Sequence, residues 1–277
     1  MENVETKTVF DWICDGTFFI FFSVLIGFGP NAKQLFIAAE ILFIVIFSLR
    51  FFIRRSRLSL FTLWSVSLVI LGLISTIYAP SREAAMTVEI SLIQVVLFSN
   101  LIVPYFRDSN RNMEMFYRIF IGAVLVLAIH LLSSAPIEQL MNARIGGTIN
   151  MNANRVGLYF AIGAVVALHL VLAEKLYWYF LFVVLFAVVS LFSGSRKVMA
   201  LLGIGFFLVG LFTRKRNWKS FAYLLLIILF FFGLFYFVFH WAPLYNVLGS
   251  RIDTFFALFK NGNADGSTTI RLVMIQD

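Results

Sequence analysis

The chain has 277 residues and a net charge of +8, and 61% of its residues are hydrophobic while only 13% are charged. A soluble domain is about half apolar and a quarter charged, so this composition excludes an ordinary soluble protein. It predicts an all-α polytopic membrane protein, because the apolar stretches approach the roughly 20 residues that a helix needs to cross a bilayer. The basic residues lie between these stretches, where they set membrane orientation, and therefore indicate no nucleic-acid partner.

Nine apolar segments predict nine membrane-spanning helices. In chain order they are Trp12–Gly29, Leu35–Ile53, Leu58–Ala79, Ala84–Phe106, Phe116–Ser133, Asn154–Ala173, Tyr177–Ser193, Val198–Thr213 and Phe221–Phe239. A transmembrane domain is therefore predicted over residues 1–239, and residues 240–277 are predicted to begin a large outer loop. Strands of a membrane β-barrel are excluded, because they alternate and are only about 10 residues long.

The distribution of Lys and Arg predicts the orientation of these spans. Connectors after the second, fourth, sixth and eighth spans are richer in cations than the others; the second connector alone contains Arg54, Arg55 and Arg57. By the positive-inside rule, these connectors and the N-terminus are predicted to be cytoplasmic. The other connectors and the C-terminal tail are then on the outer side.

Arg196 and Lys197 interrupt an apolar run and form the first candidate site. One continuous helix over residues 177–213 would be roughly 55 Å long at 1.5 Å per residue, which exceeds the thickness of a bilayer. The chain is therefore predicted to turn back at "SGSRK", where Gly194 and its flanking serines favour a tight turn near the outer surface. The two cations either reach lipid phosphates or bind an anionic ligand, and both interpretations stay open.

The connector "NARIGGTINMNANRVG" is the second candidate site. It combines Arg144 and Arg155 with three alternating asparagines, Asn150, Asn152 and Asn154. Asparagine caps helices well, and a helix N-terminus with nearby arginines favours anions. Capping needs only one asparagine, so both a capping role and a binding role are open.

Two carboxylates and three histidines lie in or beside the predicted spans. Glu40 and Glu89 are near the outer ends of their helices, and an acid inside a membrane predicts a functional role with a partner. Ion pairing with outer arginines is the structural interpretation, and action as a general base is the alternative. His130, His169 and His240 are predicted to pack at the membrane interface, although histidine also titrates near neutral pH.

The order of these motifs resembles the O-antigen ligase and O-antigen polymerase superfamily, which are bacterial membrane glycosyltransferases of lipopolysaccharide and capsule assembly. The resemblance is carried by "RIGGTINMNANRVGL", a span, "SLFSGSRKVMALLGIG", two further spans and an outer loop that reaches "GSTTIRLVMIQD". It covers residues 144–277. Residues before Arg144 match only in being spans.

The resemblance implies an enzyme of the bacterial inner membrane whose substrate is a glycan on undecaprenyl diphosphate. The enzyme transfers or polymerises that glycan at the outer face. We expect inversion at the anomeric carbon, and we expect no metal ion or other cofactor, because arginines can hold a diphosphate and the sequence shows no outer Asp/Glu cluster that would bind a metal. Arg196 and Arg271 match the family's diphosphate-binding arginines, and Lys197 and Arg144 are expected to assist. Supporting roles are expected for Asn154, Arg155, Glu40 and Glu89. The family's loop histidine has no match, so this histidine is expected beyond Asp277.

Several functional alternatives stay open. A polymerase is slightly favoured over an O-antigen ligase that transfers the glycan to the lipid A-core, and proteins of polysaccharide assembly are possible partners of either. A transporter or flippase would use Glu40 and Glu89 for ion coupling, but it predicts matched broken helices in two halves, and the sequence shows no internal repeat. A non-catalytic membrane scaffold is the third alternative.

Cys14, the single cysteine, predicts neither a disulfide nor a zinc site.

Overall fold

The computed structural model describes residues 8–54, 59–134, 136, 145–213, 229, 232–233, 236–250 and 252–253, except the side chains of Pro30 and Asn31. Within these ranges the regular structure is helical and contains no strand. The prediction of an all-α fold is confirmed for this part of the chain.

The helices are numbered here in chain order. They are α1 (Val9–Gly27), α2 (Lys33–Ile53), α3 (Leu60–Tyr78), α4 (Arg82–Asp108), α5 (Asn110–Ser134), α6 (Ala153–Ala173), α7 (Phe180–Leu191), α8 (Arg196–Thr213) and α9 (Ala242–Leu244). Short 3-10 turns occur at Gly29–Ala32, Gly147–Ile149 and Tyr177–Tyr179, and a π-helical turn follows at Tyr245–Gly249.

Seven described helices, α1 to α6 and α8, are long and apolar enough to cross a membrane. They coincide with seven of the predicted spans and confirm the multi-pass membrane character of the chain. The predicted seventh span is a shorter apolar helix, Tyr177–Leu191. Most of the predicted ninth span and of the predicted outer loop lies outside the described residues, so the count of nine and the loop remain predictions.

Helix α5 begins earlier than the hydropathy pattern predicts. It starts at Asn110 rather than Phe116, and its first turns contain the polar residues Asn110, Arg111 and Asn112. Hydropathy marks the part of a helix that suits hydrocarbon, whereas backbone hydrogen bonding continues into polar residues beyond it. Polar residues cap the N-termini of α3 and α4. Ser59 and Thr62 form a capping box at the start of α3, and Ser81 caps α4 directly after the break at Pro80.

The chain divides into two compact units. The first comprises Met1–Val24 and Lys33–Ile119. Its core is aromatic: the fully buried Phe18 of α1 lies 5.5–5.7 Å from the rings of Phe43, Phe47, Tyr105 and Phe116. Phe43 and Phe47 are four residues apart on α2, so both rings point to the same side and stack at 4.2 Å.

The second unit comprises Leu25–Ala32 and Phe120–Asp277. Helix α6 packs against both α7 and α8, and small residues make this close approach possible. A Cβ atom on Gly163 would lie 2.9 Å from the Phe186 ring of α7, and a Cβ atom on Gly205 of α8 would lie 2.5 Å from the Val165 side chain of α6. The glycines therefore let three helices pack where a larger residue would separate them.

Candidate anion-binding site

The two candidate motifs of the second unit meet in the structure. The backbone N–H of Ile145 donates a hydrogen bond of 3.1 Å to the carbonyl oxygen of Phe192. Ile145 begins the described part of the asparagine-rich connector, and Phe192 is the C-cap residue of α7, directly before the serine-glycine turn. The two motifs are separate in the sequence, and the fold places them side by side.

Close packing between α6 and the turn fixes this arrangement. A Cβ atom on Gly157 would lie 2.4 Å from both the Cβ and the Oγ of Ser193, and 3.1 Å from the Val198 side chain. Further along the same helices, Gly205 of α8 is beside Val165 of α6. The contact of Gly157 with Val198 and the contact of Val165 with Gly205 join residues that are separated by nearly the same distance in the sequence. Helices α6 and α8 therefore run in the same direction and begin at the same level.

The N-terminus of α6 is capped by one of the three asparagines. The Oδ1 of Asn152 accepts a hydrogen bond from the N–H of Asn154 at 2.9 Å, while its carbonyl accepts from Arg155 and Val156. Asn150 has a different structural role. Its φ of 53° is in the left-handed region, which asparagine tolerates better than most residues. Asn154 is exposed within the first turn of α6. Capping therefore explains one asparagine and backbone conformation a second.

The turn before α8 has the tight form that the length argument predicts. Gly194 has a φ of 61°, which favours glycine. The flanking serines are buried: the N–H of Ser195 donates to the Oγ of Ser193 at 3.3 Å, and the carbonyl of Ser195 accepts from Val198 and Met199. Only four residues separate α7 from α8, so the chain reverses within a single turn.

Three cations lie at the beginnings of these parallel helices. Arg196 is the half-buried first residue of α8, Lys197 beside it is exposed, and Arg155 is exposed in the first turn of α6. The Nε of Arg155 donates to the hydroxyl of Tyr159 at 3.0 Å, which holds its guanidinium along α6. Helix N-termini carry partial positive charge, so cations there cost about 0.3–1 kcal/mol each instead of stabilising the helix.

The elements that build this site contain very little negative charge. Residues 145–213 include Arg155, Lys175, Arg196 and Lys197 but only one acid, Glu174. Glu174 caps the opposite end of α6, roughly 30 Å from Asn152 for a helix of 21 residues. Two aligned helix N-termini, nearby cations and the absence of a local acid in these elements together favour an anionic ligand.

Other predicted site residues are not part of this described geometry. Arg144 and Arg271 lie outside the described residues. Glu40 and Glu89 belong to the first unit, where Glu40 accepts a hydrogen bond of 3.1 Å from the Nε2 of Gln94. The described ion pairs do not include an arginine partner for either carboxylate. The amide of Gln94 on the neighbouring helix α4 takes that place for Glu40.

Glu89 is buried against a glycine of the neighbouring helix. It is 4% exposed, and a Cβ atom on Gly72 of α3 would lie 2.0 Å from its Oε2. Its Oε1 has no hydrogen-bond partner among the described residues. A buried acid with an unsatisfied oxygen is unfavourable in an apolar helix pair. The position of Glu89 therefore indicates a functional role for this residue.

The described histidine contacts fit the predicted packing roles. His130 donates from Nδ1 to the carbonyl of Gly27 at 2.7 Å and packs 5.0 Å from the Phe28 ring. His240 donates from Nδ1 to the carbonyl of Tyr236 at 2.8 Å and stacks on the Tyr236 ring at 3.9 Å. His169 is half-buried on α6.

The first unit contains a buried polar cluster that was not predicted from the sequence. Arg50 is 3% exposed, and its Nη2 lies 2.7 Å from the Oδ2 of Asp108. Its guanidinium lies 5.0 Å above the Tyr105 ring, and the Tyr105 hydroxyl donates to the buried carboxylate of Asp15. Charged residues inside predicted spans were the available signal, because Asp15 and Arg50 both lie within them.

Comparison with known proteins gives no match to a family model, a curated protein or a solved structure. The functional interpretation therefore depends on the residues and on the geometry described above.

Proposed function

We propose that this chain is a glycosyltransferase of the bacterial inner membrane that acts on a glycan linked to undecaprenyl diphosphate. One observation carries the proposal: the fold brings the asparagine-rich connector and the "SGSRK" turn together at two parallel helix N-termini. The shared chemistry of these elements suits an anion at the end of the helices. We propose that this anion is a diphosphate because of the motif resemblance.

Arg196 is the central residue of the proposed site. A guanidinium binds two phosphate oxygens at once, whereas the ammonium of Lys197 acts as a point charge. Arg271 is proposed by motif to hold the diphosphate together with Arg196, and Arg144 is proposed to assist. Asn154 and Arg155 contribute at the start of α6. Proposed supporting roles for Glu40 and Glu89 are structural, because their described contacts lie within the first unit.

The proposed reaction is a displacement at the anomeric carbon. The acceptor hydroxyl oxygen forms the new bond from the face opposite the diphosphate, and the bond between the anomeric carbon and the diphosphate oxygen breaks. Undecaprenyl diphosphate leaves with the bonding electrons, and the acceptor proton passes to a basic group. Negative charge develops on the leaving diphosphate, which preorganised cations in a site of low dielectric constant stabilise.

The experiment is substitution of Arg196 in the source bacterium, with surface polysaccharide followed on a gel. Arg196→Ala should abolish or strongly shorten the polysaccharide, and Arg196→Lys should restore only part of it. Arg54→Ala is a matched control, since Arg54 forms an exposed ion pair with Asp11 in the first unit. Unchanged polysaccharide in Arg196→Ala cells, at a normal protein level, would refute the proposal.

The same gel separates polymerase from ligase. Loss of long chains with single repeats retained indicates a polymerase, the slightly favoured form. Loss of all surface repeats, with lipid-linked chains accumulating in the membrane, indicates a ligase.

A flippase or transporter is the second candidate, and the buried Glu89 with its unsatisfied Oε1 favours it. It would use Glu89 for ion coupling. Lipid flipping by the protein in liposomes, lost in Glu89→Gln and without glycan transfer, would support this alternative.

A further inference from the structure

Aromatic side chains adjoin the cationic turn of the second unit. Phe192, which directly precedes the turn, lies edge-on to Trp241 with ring centroids 5.9 Å apart. Trp241 in turn stacks on Phe237 at 5.0 Å. These three residues are called the aromatic platform below.

Helix geometry produces the platform. Residues 236–240 are helical, and the N–H of Trp241 donates to the carbonyl of Phe237 at 3.0 Å. Phe237 and Trp241 are therefore one helical turn apart and on the same side. The contact with Phe192 attaches this side to the residue whose backbone also binds Ile145 of the connector. The platform is thus tied to both halves of the candidate anion site.

The exposure of the platform is uneven. Phe192 is 8% exposed and anchors the group, whereas Trp241 is half-buried and Phe237 is 48% exposed. An aromatic belt at a membrane surface points its rings to the headgroups. Trp241 instead packs on a buried residue only four positions before Arg196. The contact with Phe192 places Trp241 next to the turn that carries Arg196, so the glycan on a diphosphate held at that turn has this aromatic surface nearby.

We propose that the aromatic platform binds the sugar ring that is joined to the diphosphate. This inference rests on the proposed function and names a second part of the same site. A sugar ring has a face of C–H groups and a rim of hydroxyls, which fits a tryptophan that combines a flat apolar face with an N–H donor. A free phosphate or a phospholipid headgroup needs only the cations. The platform therefore distinguishes a glycan-linked diphosphate from other anions.

The test measures binding of two probes to the full chain in lipid nanodiscs. One probe is undecaprenyl diphosphate, and the other is undecaprenyl diphosphate that carries a single N-acetylglucosamine. The unmodified protein should bind the sugar-bearing probe about fivefold more tightly, as expected from one aromatic stacking contact. Trp241→Leu keeps an apolar side chain for packing but removes the aromatic face. It should make the two affinities equal and leave binding of undecaprenyl diphosphate unchanged.

Two further variants make the result decisive. Trp241→Phe retains an aromatic face and should keep most of the preference. Trp178→Leu, which removes an exposed tryptophan next to the opposite end of α6, should leave the preference intact. Equal binding of both probes by the unmodified protein, or a preference that survives Trp241→Leu, would overturn the inference.

Arg196→Ala separates this inference from the proposed function. It should weaken both probes by a similar factor, because the diphosphate is common to them. If Arg196→Ala changes neither affinity, the proposed function fails. If it weakens both while Trp241→Leu has no effect on their ratio, only the sugar contact is wrong.

Discussion

Gly157 of α6 and Ser193 of the turn touch so closely that no methyl group fits between them, since a Cβ atom on Gly157 would lie 2.4 Å from the Ser193 side chain. This contact holds the two motifs of the candidate site together. We expect Gly157→Ala to push the turn away from α6 and to lower the stability of the second unit by about 1–3 kcal/mol, as overpacking does. Thermal unfolding in detergent measures the change.

Gly147→Ala is the matched control for this prediction. Gly147 belongs to the same connector, and a Cβ atom there would have no neighbour within 4 Å. Its melting temperature should equal that of the unmodified protein. Ser193→Gly should relieve part of the loss in Gly157→Ala, because it removes the atoms in conflict. A Gly157→Ala variant as stable as Gly147→Ala would contradict the observed packing.

The two ion pairs of the first unit predict unequal costs of disruption. The pair of Arg50 with Asp108 buries its arginine to 3% exposure, whereas Arg54 and Asp11 are 42% and 15% exposed. Asp108 is 34% exposed, so the cost of Arg50→Gln comes from the loss of the buried guanidinium, with its hydrogen bond to Asp108 and its contact over the Tyr105 ring, and this substitution should lower the free energy of unfolding by about 2 kcal/mol. Arg54→Gln should cost less than about 1 kcal/mol.

Chemical denaturation in detergent micelles compares these two variants directly. Both substitutions replace arginine by glutamine, at Arg50 in the last turn of α2 and at Arg54 directly after the helix, so the change of side chain is the same. Equal losses of stability would show that the burial of Arg50 has no energetic consequence.

The sequence predicts the spans well because their cause is local. A helix that crosses hydrocarbon needs a set number of apolar residues, and hydropathy detects that number without knowledge of neighbours. The turn at Gly194 follows from the same length argument. The polar start of α5 at Asn110 is missed, since the backbone continues as a helix where the hydrophobic signal stops.

Pairing between distant residues is what sequence reasoning could not supply. Glu40 was expected to pair with an arginine, but Gln94 on α4 is its described partner, and only the packing of α2 against α4 decides this. Tyr105 and Trp241 each make a specific contact. Because 17% of the residues in the chain are aromatic, the sequence does not indicate which aromatic residues make such contacts. The motifs of the candidate site were visible, whereas the contact between Gly157 and Ser193 that unites them was not.

Gly72 and Glu89 provide a prediction about the pair α3 and α4. A Cβ atom on Gly72 would meet the Glu89 carboxylate at 2.0 Å, so Gly72→Ala should force that side chain to move and should destabilise the protein. In a Glu89→Ala background the methyl group has space, and Gly72→Ala should then cost less. The difference between the two costs should exceed about 0.5 kcal/mol, the level expected for coupled residues.

A thermal or chemical unfolding series on the four proteins of this cycle measures the coupling. Gly16→Ala on α1 serves as the control, because a Cβ atom there has no neighbour within 4 Å. Strictly additive effects of Gly72→Ala and Glu89→Ala would show that the two residues are not in contact.

Tyr245 and Asp253 predict a pH effect outside the long apolar helices. The Tyr245 hydroxyl donates to the Oδ2 of Asp253 at 2.8 Å, and this hydrogen bond raises the pKa of Tyr245 above its ordinary value of about 10. Asp253→Asn should lower the pKa of Tyr245 toward that value. Ultraviolet absorbance of tyrosinate during an alkaline titration measures it, and Tyr245→Phe isolates this residue from the other tyrosines.

The sign of the linked stability effect follows from the direction of the pKa shift. Because the pKa of Tyr245 is higher in the folded protein than in the unfolded chain, the hydrogen bond stabilises the fold fully below the unfolded pKa. This contribution is lost as the pH rises through the folded pKa. The difference in stability between the unmodified protein and Asp253→Asn should therefore be constant at neutral pH and should shrink above about pH 10. An identical tyrosinate titration in both proteins would show that the Tyr245 hydroxyl makes no such bond in solution.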